Sequence, residues 1–244
     1  MNDLAAGLPA EPVNDTFAGR LADLVAKPGR LMDRVGVAPR WWHPGLLILV
    51  LIAGFAWLTS PISGPEQLEM MRDSKIMSMM PEEQWQQQYD DALHPTLAKR
   101  VSTAIGAGFS AWVMVLLFGF ILGFFARMGG GKGTFKQALG VVSWAALIPF
   151  GIGSLVKVPL VLATESVFRV NLGLAALAPG LEPSSPLFQV LMTYGDFFTW
   201  WGLFVLVVGF QRVFAMGRGA AATAVLLPWI LCSAVPLGLT LLFM

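Results

Sequence analysis

The chain has 244 residues, 56% hydrophobic and only 13% charged, with a net charge of +1. Soluble domains carry about 25% charged residues, so this composition belongs to a membrane protein, and the near-neutral charge gives no case for nucleic acid or an acidic substrate as partner. The single cysteine, Cys232, lies in an apolar run and excludes an intramolecular disulfide framework and a cysteine-ligated zinc site.

Residues 1–43 form a cytoplasmic N-terminal region. Asp3, Glu11, Asp15 and Asp23 leave no early apolar core for a secretory signal, so the N-terminus is expected to be retained. Phe17, Leu21, Leu24 and Val25 recur at helical spacing, and Pro28-Gly29 breaks the pattern. A second short helix then sets Leu31, Met32, Val35 and Val37 against Arg30, Asp33 and Arg34. Such helices either lie in the headgroup plane or pack on their own protein. Arg34 and Arg40, with Trp41 and Trp42, are placed at the lipid headgroup interface.

A transmembrane domain is expected over residues 44–244. Span one is drawn over about 44–60, since Thr59-Ser60-Pro61 weakens the end of the charge-free run Pro44–Gly64. The polar segment 61–103 is read as an extracytoplasmic loop, with a helix restart at Met80-Pro81-Glu82-Glu83. Span two, 104–126, is charge-free, and Gly119 and Gly123 lie four residues apart in it, as close helix packing requires. The turn Gly129–Thr134 reads as flexible and basic. Span three, 137–158, is bent at Pro149 and ends on Lys157. Residues 160–186 are interrupted by prolines and charges and read as interfacial or re-entrant. Span four, 187–211, contains Asp196, Trp200, Trp201 and the packing glycines Gly202 and Gly209. Span five, 220–243, is bent at Pro228 and Pro236.

Basic residues orient the chain. Ten lie on the N-terminal side of the membrane, among them Arg127, Lys132, Lys136, Arg212 and Arg218, which are also placed at lipid headgroups; six lie on the other side. The expected fold is an all-α, five-span transmembrane helical bundle with a cytoplasmic N-terminus and an extracytoplasmic C-terminus.

Chemical motifs are few. Gly129-Gly130-Gly131-Lys132-Gly133-Thr134 fails the phosphate-loop pattern, which needs a glycine at Ala126 and a hydroxyl residue at Gly133. Met70, Met71, Met77, Met79 and Met80, with His94, have the softness of a Cu(I) site, but methionine also fills helix interfaces, and the packing reading is preferred. An intramembrane aspartyl protease needs a second membrane aspartate, and the other spans contain none. No catalytic, cofactor or metal residues are assigned. Asp196, about two turns inside span four, can meet Lys157 at similar depth. The pair, with Trp200 and Trp201 beside it, is read as an intramembrane polar clamp or a partner contact.

Four features carry a family resemblance. They are Lys27-Pro28-Gly29-Arg30 leading through Pro39-Arg40-Trp41-Trp42 into a span; Met80-Pro81-Glu82-Glu83-Gln84; Lys132-Gly133-Thr134-Phe135-Lys136-Gln137-Ala138 running into a span with Ser143 and Ile148-Pro149; and Asp196-Phe197-Phe198-Thr199-Trp200-Trp201 followed by Gly209 and a basic turn. Over residues 17–243 the layout resembles the Yip1-domain family of polytopic membrane proteins in its bacterial form. The resemblance implies a five-span bundle with a cytoplasmic N-terminus. For eukaryotic members it also implies binding to small GTPases and trafficking factors, a role not carried over here because the long outside loop and short N-terminal region depart from that pattern.

The function expected is that of a non-catalytic scaffold or accessory subunit of a larger complex in the bacterial inner membrane, for example with a transporter or exporter. Its expected partners are membrane lipids and other integral subunits, with homo-oligomers allowed and no cofactor. The alternative is a small transporter or channel using Asp196 and Lys157, which requires a polar cavity near mid-membrane.

Overall fold

Caps and prolines in the sequence set most of the element ends. The computed structural model describes residues 15–72, 80–178, 180–182 and 185–243, which form the helices α1 (Phe17–Ala26), α2 (Pro28–Val37), α3 (Trp42–Met71), α4 (Glu82–Leu93), α5 (Leu97–Met128), α6 (Phe135–Leu147), α7 (Gly153–Thr164), α8 (Pro186–Tyr194), α9 (Phe197–Val213) and α10 (Arg218–Phe243). A π-helical turn, Ile148–Ile152, joins α6 to α7 without interruption. Among the described residues there is no β-strand, only an isolated bridge between Gly173 and Asp196. Among the described residues three helices are long and apolar enough to cross a membrane: α3, α5, and α6 continued through α7 to Thr164.

The first N-terminal helix begins at Phe17 as expected, whereas Pro28-Gly29, expected as a break, forms the first turn of the second. Thr16 caps α1 by accepting the Gly19 N–H at 3.1 Å, and Pro28 opens α2 at a position where its missing N–H is harmless. Of the two settings open to them, they take the protein interior. Leu24, Leu31, Met32 and Val35 are buried in one core with Trp144, Phe210 and Phe214. Fully burying each such side chain contributes about 1.5–3 kcal/mol, which holds α2 against α6 and α9. Arg34 therefore sits mostly buried beside Asp23 at 3.2 Å rather than among lipid headgroups. Arg20, 1% exposed, donates to both Asp15 oxygens and to the Ala38 carbonyl.

The first span is longer than the sequence suggests. A proline at position 61 strips the Trp57 carbonyl of its helical donor, which normally ends or kinks a helix. Here Arg100, from the start of α5, donates to that carbonyl at 2.9 Å and lays its guanidinium over the Trp57 ring at 4.5 Å. With the carbonyl satisfied, α3 runs on to Met71, so residues 61–71 are helix rather than loop. Span two also lengthens, to Leu97–Met128, and span three extends over Phe135–Thr164.

Small residues set the close approaches. Added Cβ atoms would stand 2.5 Å from Leu139 Cδ2 at Gly119 and 2.8 Å from Ala138 Cβ at Gly123, so α5 and α6 meet nearly backbone to backbone. A Cβ added to Gly202 would stand 3.1 Å from Pro149 Cδ, and one on Gly209 would meet Val141 and Met32. The Gly129–Thr134 turn is tied down rather than flexible: Lys132 N–H donates to the Phe214 carbonyl, Arg127 to that of Gly133, and Thr134 and Gln137 form a reciprocal capping box. Of the methionine run, Met77 and Met79 lie outside the described residues, as do residues 1–14, Pro179 and Pro183.

Two measurements check this packing. Gly123→Ala should lower stability by about 1–3 kcal/mol, because Ala138 has no rotamer by which to withdraw; Gly106→Ala, on the same helix with open space around it, should not. Melting midpoints in detergent compare the two. The second concerns acid. Hydrogen bonding to Arg20, against some desolvation, holds the Asp15 carboxyl below its ordinary 3.8. A carboxylate with a depressed folded pKa contributes stability above its unfolded value and loses it as pH falls through the folded one. The melting difference between wild type and Asp15→Asn should be constant above about pH 4 and shrink below it. A difference that stays constant from about pH 6 down to 2 would contradict the assignment.

Candidate functional site

The expected single span over 187–211 is two helices. After α8 the chain breaks at Gly195-Asp196, where residues 172–174 take over the hydrogen bonds a continuous helix would use. Leu174 N–H donates to the Gly195 carbonyl at 3.1 Å and Phe197 N–H to the Leu172 carbonyl at 3.3 Å. This is possible because Gly173 has no side chain: a Cβ there would strike the Gly195 backbone. Asp196 is thus not two turns inside a helix but the cap of a new one.

In that position both of its oxygens are engaged. Oδ1 accepts the Thr199 N–H at 3.1 Å, the usual cap geometry, and Oδ2 accepts from Lys157 Nζ at 2.6 Å. The carboxylate is 7% exposed, and its charge lies at the positive end of the α9 dipole. Lys157 reaches it from α7 with its side chain about one-third exposed (31%). The pair therefore locks α7 to α9. From Asp196 to Arg212, which pairs with Asp33 at 2.8 Å, is 16 residues or about 24 Å of helix, less than the roughly 30 Å of hydrocarbon in a bilayer.

The two tryptophans diverge. Trp200 is half exposed (49%), donates Nε1–H to the Tyr194 carbonyl at 2.8 Å across the break, and meets Trp229 of α10 edge-on at 5.8 Å. Trp201 turns inward against the core and packs on Phe197. Tyr194 completes the corner by donating to the Ser233 carbonyl at 2.7 Å. Tyr194 and Trp229 were not legible as site residues, because the contacts that join them to the corner, Tyr194 to Ser233 and Trp229 to Trp200, link α10 to helices distant in sequence.

The basic residues expected at headgroups separate into groups. Arg127, Lys132, Lys136, Arg212 and Arg218 are exposed. Arg40, with a left-handed φ of 30°, lies 3.6 Å from the Asp15 carboxylate. Trp42 is half exposed and stacked on His43, whereas Trp41 packs toward Trp112.

A cavity of about 430 Å³ lies among α5, α6, the π turn, α9 and α10. Its walls are apolar, including Met114, Phe118, Phe150, Leu206 and Trp229; the hydroxyls it has are Ser110 and Thr199. Among the described residues, no group of three or more His, Cys, Asp or Glu side chains converges as a metal site would require.

Replacing either member of the ion pair should destabilise the protein. Lys157→Met leaves a buried carboxylate unpaired, and a loss of about 1–3 kcal/mol is expected, below the fully buried range because the lysine is partly exposed. Asp196→Asn keeps the cap and so isolates the ionic part, whereas Asp196→Ala should lose about 1 kcal/mol more. Thermal melting of the singles and the Lys157→Met/Asp196→Asn double tests the coupling. Additive losses would show that the two side chains do not stabilise each other.

Comparison with curated proteins and with solved structures gives no significant match. The model of the Yip1 domain matches residues 22–239, from within α1 to near the end of α10. The chain belongs to the Yip1-domain family of membrane proteins.

Proposed function

We propose that this protein is a non-catalytic scaffold or accessory subunit of a larger complex, seated in the bacterial inner membrane by five spans, N-terminus inside and C-terminus outside. In this reading α9 and α10 are the fourth and fifth spans, and the excess of arginine and lysine on the N-terminal side sets the orientation. The observation that carries the functional reading is the use made of the ionisable pair. Both Asp196 oxygens are taken by Lys157 and by the α9 cap, so this carboxylate is held in place and not free to relay protons. The cavity beside it has almost wholly apolar walls, the opposite of what a polar solute path requires.

The docking face is the outer ridge of α9. Phe197, Trp200 and Phe204 follow one another at helical spacing and are 59%, 49% and 58% exposed. Rigid aromatic anchors of this kind dominate binding energy at helix interfaces, and Trp200 is already fixed in orientation by its hydrogen bond to Tyr194. A partner subunit is expected to lay a membrane helix along this ridge.

Purification in mild detergent should recover an integral membrane partner at fixed stoichiometry, identified by mass spectrometry. Trp200→Ala/Phe204→Ala should reduce its recovery about tenfold, equivalent to roughly 1.4 kcal/mol; Phe204→Ala alone, which spares the Trp200 contacts to Tyr194 and Trp229, should reduce it in the same direction without lowering the protein's own melting midpoint. Partner recovery unchanged by the double substitution would remove this face from the proposal. Solute flux in proteoliposomes of the protein alone would favour the transporter alternative.

A further inference from the structure

A second cavity, of about 650 Å³, opens at the C-terminal end of α3, between that helix, residues 166–178 with Leu181, and Phe188 of α8. Its size is typical of small-ligand sites, and its chemistry is of mixed sign. Glu66 accepts the Val167 N–H at 2.7 Å, and Glu69 accepts the Tyr89 hydroxyl at 2.7 Å. The latter bond holds the Tyr89 pKa above its ordinary value, as a charged acceptor would. Among the described residues neither carboxylate has a cationic partner.

Positive and donor groups line the same space. Arg169 has no ion pair among the described residues. Asn171 accepts the Gly173 N–H through Oδ1, while its buried Nδ2 has no acceptor among the described residues. Phe168 and Phe188 add apolar wall. A buried donor without an acceptor is destabilising, so an acceptor brought by a ligand would be favoured there. The cavity thus complements a molecule with an ammonium N–H group at one point, an anionic oxygen at another and an apolar remainder.

Its depth narrows the class. Glu66 lies 24 residues beyond Trp42, or about 36 Å along α3, which exceeds the roughly 30 Å hydrocarbon core but falls within the 40–45 Å that includes headgroups. We infer that this cavity binds the headgroup of a zwitterionic primary-amine phospholipid, its ammonium at Glu66 and Glu69 and its phosphate at Arg169 and the Asn171 amide. A choline headgroup has no N–H to donate to the carboxylates, and an anionic headgroup has no cation for them.

Native mass spectrometry of the full chain in nanodiscs tests this with phosphatidylethanolamine, phosphatidylcholine and phosphatidylglycerol. The wild type should favour phosphatidylethanolamine about tenfold over the other two. Glu66→Gln/Glu69→Gln keeps both acceptors for Val167 and Tyr89, so its melting midpoint should hold while the preference disappears. Asn171→Asp keeps the bond to Gly173 but puts an acceptor where the phosphate would sit, and it should also abolish the preference. Equal binding of the three lipids by the wild type, or an unchanged preference in both variants, would overturn the assignment. So would displacement of the lipid by soluble phosphoethanolamine at equal concentration, which would assign the cavity to a free zwitterion.

Discussion

A carboxylate that loses water must find its compensation inside the protein, and the Lys157–Asp196 pair is where this fold meets that demand. Ionising Asp196 in an apolar bundle is costly, and three things offset the cost together: a lysine at 2.6 Å, a backbone N–H at 3.1 Å and the start of a helix dipole. Each fixes something else. The lysine determines how α7 lies against α9, the N–H determines where α9 starts, and that start obliges the chain to break from α8. The corner of Tyr194, Trp200 and Trp229, with the aromatic ridge beyond it, takes its position from this break.

Backbone accounting explains the rest of the irregularity. Hydrocarbon offers no hydrogen bonds, so every carbonyl released by a proline has to be met by protein. Arg100 meets the one released at Pro61, and α3 continues. At Pro149 the helix widens into a π turn instead, and Gly202 of α9 comes up against the proline ring. At Gly195 the extended residues 172–174 supply the bonds. These are three solutions to one constraint, each drawing on residues far along the chain.

That distance decides how much could be read in the sequence. The two N-terminal helices were legible from their apolar spacing and the interruption at Pro28, although Pro28-Gly29, read as a break, is the first turn of α2. The three long apolar helices and the depth match of Lys157 with Asp196 were legible from composition and helical rise. The continuation of α3 was not, since the group that permits it, Arg100, lies 43 residues beyond Trp57. Nor was the break before Asp196, which depends on Gly173 approaching from a segment with no clear periodicity. The burial of Arg20 and Arg34 was hidden for a different reason. A basic residue on an amphipathic helix reads as solvated, and only the partner aspartates Asp15 and Asp23 show otherwise.

The break before α9 also gives the molecule unequal flanks. The charge-free run of α9, 197–211, rises about 22 Å, whereas that of α3, 44–64, rises about 32 Å. Where α9 serves as the fourth span proposed above, a bilayer meeting that flank would thin to match it, at a cost of fractions of a kcal/mol per Å of mismatch. A neighbouring protein whose own apolar belt is short would share that deformation instead of adding to it. The membrane itself would then draw such a neighbour toward the α9 side before any side chain touched, giving this small protein a preferred direction of assembly set by thickness rather than by contact.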